Sequence, residues 1–178
     1  MLSIVISDTG SLILFDKIRE LELLAKVYDS IITTPQIATE YGKSLPEWIQ
    51  IIDVKDKKYH TFLETQVDWG EASAIALAKE IENSILLLDD LKARKLAGKL
   101  NIRFTGTLGV FHKAKQLGIV IKIKPFIDKL LMTNFRISEN IVSEFLKIND
   151  VLDEYIKSIF NDANQCVLDQ SCIIYILG

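Results

Sequence analysis

The sequence is poor in the residues and segments that mark several classes of protein. Only two cysteines occur, Cys166 and Cys172, and they provide neither a disulfide framework nor the second Cys/His pair that a zinc site needs. No apolar run approaches the roughly 20 residues that span a bilayer. The first residues lack the basic stretch of a signal peptide. We therefore expect a soluble, cytoplasmic protein with reduced thiols and no membrane partner.

The chain also lacks an excess of positive charge. Its formal net charge of -3 argues against a general nucleic-acid coat protein, but leaves room for a local basic rim. The 178 residues are 49% hydrophobic and 25% charged, as in a globular domain with a core. No internal repeat or low-complexity linker occurs, and the pattern changes near Asp150. We predict one domain over 1–150 and a C-terminal extension of unknown role over 151–178.

Short apolar runs alternate with longer helical patterns, which is typical of βαβ units and a parallel sheet. The fold class predicted is α/β, with a helical C-terminal extension. The predicted strands are Leu2–Ser7, Ser30–Thr33, Trp48–Val54, Ser84–Leu88 and Ile102–Thr105, with residues 119–123 also extended. Two helix starts are well marked. Thr34 and Pro35 suit the N-cap and first helical position, with Gly42 as the stop. Asp68 and Glu71 have the spacing of a capping box.

Carboxylates follow the ends of two predicted strands. Asp8 follows the first strand, and Asp89 and Asp90 follow the strand that begins at Ser84. Ligands of an open α/β sheet bind in the crevice beyond the carboxyl ends of the strands. Glu71, in the first turn of its helix, and Glu40, near the end of another, can reach the same edge.

Converging carboxylates repel one another and raise each other's pKa unless a cation is present. Oxygen-only ligand sets suit Mg²⁺ or Mn²⁺, which activate water and clamp phosphoryl oxygens, so the chemistry implied is phosphodiester hydrolysis. Each acid also has a purely structural interpretation. Asp8 and either Asp89 or Asp90 could be N-caps, Glu71 half of a capping box, and Glu40 a solvated helix residue.

Five motifs, in order between Leu2 and Asn149, resemble those of the PIN-domain family, in particular its short prokaryotic VapC-like members. The motifs are Ser7-Asp8-Thr9-Gly10-Ser11, Thr34-Pro35-Gln36-Ile37 with Glu40, Asp68-Trp69-Gly70-Glu71-Ala72, Leu87-Leu88-Asp89-Asp90 with Ala93-Arg94, and Thr105-Gly106-Thr107-Leu108-Gly109. The resemblance implies a PIN-like three-layer α/β/α fold with a central parallel sheet. Gly10 departs from the pattern, since many relatives have a small polar residue there.

The resemblance also implies a function: a Mg²⁺- or Mn²⁺-dependent endoribonuclease acting on single-stranded or structured RNA. Such proteins are often the toxin of a toxin–antitoxin pair, with a small cognate antitoxin and a homodimeric state. The acidic positions of the family fall on Asp8, Glu40, Glu71 and Asp89 as catalytic and metal-binding residues, with Asp90 as a further metal ligand.

Other residues take supporting roles by the same resemblance. Thr9 and Thr107 could orient a carboxylate or a metal-bound water. The cations that follow Asp89 could hold RNA phosphates, with Arg94 first because it matches a motif, followed by Lys92 and Lys95. Solvated helix faces explain these cations equally well.

Three other enzyme classes fail on the positions of their residues. Asp8-Thr9-Gly10 matches one loop of an aspartic protease, which needs two such loops on an all-β frame. A haloacid-dehalogenase phosphatase needs a second Asp at position 10, and a receiver domain needs its acidic pair near the first strand. The remaining alternative is a catalytically weak PIN-fold module that binds RNA or a protein.

Overall fold

The computed structural model describes residues 4–149, and the predicted extension over 151–178 and both cysteines lie outside that range. The elements within it are β1 (Ile4–Ser7), α1 (Thr9–Lys17), α2 (Leu21–Val27), β2 (Ser30–Thr33), α3 (Pro35–Tyr41), β3 (Ile49–Ile51), α4 (Lys57–Glu64), α5 (Trp69–Glu80), β4 (Ile85–Leu87), α6 (Leu91–Lys99), β5 (Phe104–Thr105), α7 (Thr107–Gln116), α8 (Lys124–Leu131) and a helix over 139–149, here α9. No helix in the described part of the chain is long and apolar enough to cross a membrane.

The five strands form one parallel sheet in the order β3-β2-β1-β4-β5. Strands β1 and β4, inside the sheet, are largely apolar and buried, as expected where helices cover both faces of a sheet. Helices α3, α4 and α5 pack together, while α2 packs on α7 and α7 on β5. The predicted α/β/α fold with a central parallel sheet is confirmed.

The helix boundaries follow from local hydrogen bonding. The Thr34 hydroxyl accepts a hydrogen bond from the Ile37 amide at 3.3 Å, Pro35 is the first helical residue, and Gly42 ends α3 in the left-handed region at φ 70°. Glycine adopts that conformation without the steric penalty of a Cβ atom. These are the predicted start and stop of α3.

The fourth and fifth strands are shorter than predicted, covering Ile85–Leu87 and Phe104–Thr105. Two further predicted extended segments also differ from the structure. The third strand covers only Ile49–Ile51 of the predicted Trp48–Val54, because it is an edge strand and its partner β2 offers only Ile31–Thr33 for pairing. Residues 119–123 form no strand. In both cases an apolar run packs against the core without completing a ladder of hydrogen bonds.

Candidate active site

The candidate site lies where the strand order changes direction. β1 and β4 are neighbours, but β2 and β3 extend to one side of them and β5 to the other. Ser7 of β1 is in register with Leu87 of β4, and the Asp8 amide donates to the Leu87 carbonyl at 3.2 Å. Asp8 and Asp89 therefore follow the carboxyl ends of adjacent strands, at the topological switch point where open α/β sheets bind ligands.

Asp8 is fixed by its place at the start of α1. It is the N-cap residue, and its Oδ1 accepts a hydrogen bond from the Ser11 amide at 2.8 Å. The side chain is buried, and this burial raises the pKa of Asp8 to about 7, although the hydrogen bonds from Ser11 lower it. The charges of Asp89 and Glu71 raise it further. A nearby cation would stabilise the charged form of this carboxyl and so lower its pKa again.

Asp89 is fixed from the opposite side by the start of α7. Its Oδ1 accepts from the Thr107 amide at 2.9 Å, and its Oδ2 accepts from the Thr107 hydroxyl at 2.6 Å. Burial raises the pKa of Asp89, while the Thr107 hydrogen bonds and the positive charge of Arg94 lower it. A Cβ on Gly106 would lie 2.7 Å from Asp89 Oδ1, so the absence of a side chain there leaves room for the carboxylate.

Ser11 lies between the two aspartates. Its side chain is fully buried and close enough to lower the pKa of both Asp8 and Asp89. The two carboxylates are the hydrogen-bonding neighbours of its hydroxyl, and no other partner occurs within residues 4–149. A hydroxyl donates only one hydrogen bond and so serves one carboxylate at a time, and a cation or water beside the two acids would serve the other.

Glu71 lies in the first turn of α5. It forms a capping box with Asp68, whose amide donates to Glu71 Oε2 at 3.3 Å. Burial raises the pKa of Glu71 to about 7, and the charge of Asp90 adds to the effect. Since Glu71 also raises the pKa of Asp8, its carboxylate is within electrostatic reach of the aspartates while it caps its own helix.

Glu40 is the outermost of the four acids. Its side chain is exposed on α3, and its Oε2 accepts a hydrogen bond from the Thr9 hydroxyl at 2.5 Å. Gly70 allows this arrangement, because a Cβ there would collide with the Glu40 carboxylate and lie 2.9 Å from Thr9 Oγ1. The hydrogen bond to Thr9 holds Glu40 at the edge of the site.

Asp90 is the N-cap residue of α6. Its Oδ1 accepts from the Lys92 amide at 2.8 Å and from the Ala93 amide at 2.9 Å, at the start of α6. These bonds account for its position at the surface.

The acids as they stand are spread over the crevice. In the described range no three His, Cys, Asp or Glu side chains form a group that could hold a metal ion by themselves. Mg²⁺ characteristically keeps several waters and takes one or two carboxylates from the protein. Asp8 and Asp89, with the Ser11 hydroxyl between them, suit that kind of oxygen set.

The cations predicted to bind RNA divide into two groups. Arg94 lines a cavity of about 220 Å³ together with Asp89, and its guanidinium carbon lies 5.1 Å from the centre of the Phe104 ring. Lys92 and Lys95 line a separate cavity with Lys99, against residues 65–66 between α4 and α5. Lys92 also lowers the pKa of Glu71, so both groups border the acids.

Sequence reasoning missed three residues at the site. Ser11 carries a weak signal, since it stands three residues after Asp8, where a capped amide is expected. Phe135 and Arg136 line two cavities with Asp89 but follow α8, far along the chain. No spacing rule connects them with the acids.

A family model described as DUF3368: PIN domain matches residues 4–150. The chain therefore belongs to the PIN-domain family, whose members are generally nucleases and typically use divalent metal ions. Nothing among the curated proteins matches the chain.

Proposed function

We propose that this protein is a metal-dependent endoribonuclease that hydrolyses RNA phosphodiester bonds. The observation that carries the proposal is the pair of carboxylates at the switch point of the sheet, buried Asp8 and half-buried Asp89, with the Ser11 hydroxyl between them. Uncompensated acids in such a place raise each other's pKa, and a bound cation would relieve that repulsion.

Asp8 and Asp89 would hold one divalent cation, Mg²⁺ or Mn²⁺, with Glu71 and Glu40 completing the set through waters. When bound, such an ion neutralises phosphoryl charge and lowers the pKa of water, so that a nucleophile is available at neutral pH. Thr107 keeps both oxygens of Asp89 oriented. Thr9 holds one oxygen of Glu40, Oε2.

The test is cleavage of labelled single-stranded and structured RNAs with Mg²⁺ or Mn²⁺, by the native protein and by Asp8→Asn. We expect metal-dependent cleavage that disappears in the variant. Activity that survives Asp8→Asn would point to a contaminating nuclease. No cleavage of any RNA by the native protein would refute the proposal.

One observation favours the second candidate, a catalytically weak module that binds RNA or a protein. Glu71 and Glu40 are already engaged in hydrogen bonds with Asp68 and Thr9. Such a module would bind RNA with the same affinity with and without Mg²⁺ and cleave none. The nuclease would require the ion for turnover.

As a finer proposal, the enzyme would be the toxin of a toxin–antitoxin pair in the cytoplasm, a homodimer held inactive by a small antitoxin. Expression of the chain alone should then arrest growth, and a small neighbouring gene should restore it. Asp8→Asn at equal expression is the matched control. Normal growth with abundant native protein would argue against toxicity.

A further inference from the structure

Two cavities meet at Asp89. One, of about 220 Å³, extends toward α6 and α9, and the other, of about 310 Å³, extends along α1. Asp89, Phe135 and Arg136 line both cavities. Phe135 and Arg136 therefore border both spaces.

The first cavity is largely apolar, and its polar lining consists of Asp89, Ser138 and the two arginines. Leu91, Leu108, Ile137 and Ile141 line it, and Leu91 is 70% exposed. Arg94 closes one side, over the Phe104 ring. An apolar space flanked by an aromatic ring and a guanidinium group suits the flat face of an unstacked base.

The second cavity has a more polar lining. Ile13 and Leu14 contribute apolar surface, while Lys17 and Asn134 lie at its edge, with the Lys17 ammonium donating to Asn134 Oδ1 at 3.5 Å. The first cavity is smaller than the roughly 300–1,000 Å³ of sites for drug-sized ligands, and the second, at about 310 Å³, lies at the lower end of that range. Their size suits one planar ring each.

Arg136 supplies positive charge where the acids would repel a phosphate. Its side chain is exposed and, across residues 4–149, makes no ion pair or hydrogen bond. A guanidinium group binds a phosphate through two parallel hydrogen bonds. The position beside Asp89 would hold the backbone phosphate at the scissile bond.

We propose that the two cavities each take one base of single-stranded RNA on either side of the cleaved bond, with Arg136 binding the phosphate and Phe135 stacking on a base. This inference rests on the proposed nuclease function and specifies how its substrate lies. It requires adjacent bases to be splayed apart, which only unpaired RNA allows without breaking base pairs.

The experiment measures binding of a fluorescent oligouridylate by anisotropy in an Asp8→Asn background without metal, over a range of salt concentrations. We expect Arg136→Ala to weaken binding about tenfold and to reduce the slope of log affinity against log salt by about 0.7, the value for one phosphate contact on a single strand. Arg136→Lys should restore the slope. The matched control Arg103→Ala, at the other end of β5, should bind like the background protein.

The stacking role of Phe135 is tested by changing the protein and by changing the RNA. Phe135→Leu keeps apolar packing but removes the aromatic face, and we expect about tenfold weaker binding with an unchanged salt slope. An oligomer with abasic sites should bind Phe135→Leu and its background equally. Thermal unfolding of each variant reports whether the fold is retained.

Several results would overturn the inference: no RNA binding by the background protein, Arg136→Ala behaving like Arg103→Ala, or a Phe135→Leu defect that persists on abasic RNA. These outcomes are separate from the fate of the nuclease proposal. If the native protein cleaves nothing but the binding effects appear as expected, the nuclease function fails and the RNA-binding surface stands.

Discussion

The four acids proposed for the site form two pairs in different surroundings. Asp8 and Asp89, the inner pair, follow the ends of adjacent strands and are oriented by main-chain amides, Asp8 buried and Asp89 half-buried. Glu40 and Glu71, the outer pair, extend from helices and are held by Thr9 and by a helix cap. The sheet itself positions the inner pair, whereas side-chain rotamers position the outer pair. The inner pair should therefore dominate function.

We expect the largest loss of RNA cleavage from a substitution of Asp89, and little loss from the same substitution of its neighbour Asp90. Asp89→Asn keeps the shape of the side chain but removes a charge of the inner pair, so we expect RNA cleavage to fall about a thousandfold. Asp90→Asn is the matched control, because Asn caps a helix as well as Asp, and cleavage should stay within about threefold. Equal losses in the two variants would place the metal differently.

A second test uses the raised pKa of Asp8. The folded protein holds this proton up to about pH 7, whereas the unfolded chain loses it near the ordinary value of 3.8. Without metal, the free energy of unfolding should therefore fall as pH rises from about 4 to 7. Asp8→Asn removes this loss.

In metal-free buffer we accordingly expect Asp8→Asn to be more stable than the native protein at pH 8 by about 2–4 kcal/mol, and nearly equal to it at pH 4. Chemical denaturation at the two pH values measures the difference. A variant that is less stable at pH 8 would contradict the account of a strained, buried carboxyl.

The two threonines provide a smaller, paired comparison. Thr107→Val removes the hydroxyl that orients Asp89 and should weaken metal-dependent cleavage about 10- to 100-fold. Thr9→Val removes the hydroxyl bound to exposed Glu40 and should change cleavage less than about threefold. A larger loss of cleavage in Thr9→Val than in Thr107→Val would show that the outer pair contributes more to cleavage than the inner pair.

Two glycines should have modest effects on metal binding. Gly106 has an extended backbone that alanine also adopts, so the effect of Gly106→Ala would come from contact with the Asp89 carboxylate, and we expect about tenfold weaker Mn²⁺ binding. In Gly70→Ala the new methyl group meets the Glu40 carboxylate and Thr9 Oγ1, and the flexible Glu40 side chain can move away from both. Calorimetric titration should find Mn²⁺ affinity nearly unchanged there.

Much of the fold follows from local sequence. Apolar runs indicate the five strands, and Thr34, Pro35 and Gly42 mark the two ends of α3. The length of the third strand was overestimated because pairing at an edge depends on the partner strand, β2, and not on the apolar run itself.

The site was only partly predictable. Asp8 and Asp89 follow from one rule, that acids after neighbouring parallel strands lie at one edge of the sheet. The contribution of Phe135 and Arg136 depends on how the chain returns after α8, which no local pattern encodes. The depth of each acid likewise emerges only from packing: burial raises the pKa of Asp8, whereas Glu40 stays exposed.

The most direct test of the inner pair is calorimetric titration of Mn²⁺ into the native protein, Asp8→Asn, Asp89→Asn and Glu40→Gln at pH 7.5. We predict saturable binding by the native protein, loss of measurable binding in both aspartate variants, and at most about tenfold weaker binding in Glu40→Gln. Undiminished Mn²⁺ binding by Asp8→Asn and Asp89→Asn would contradict the claim that these two acids form the centre of the site.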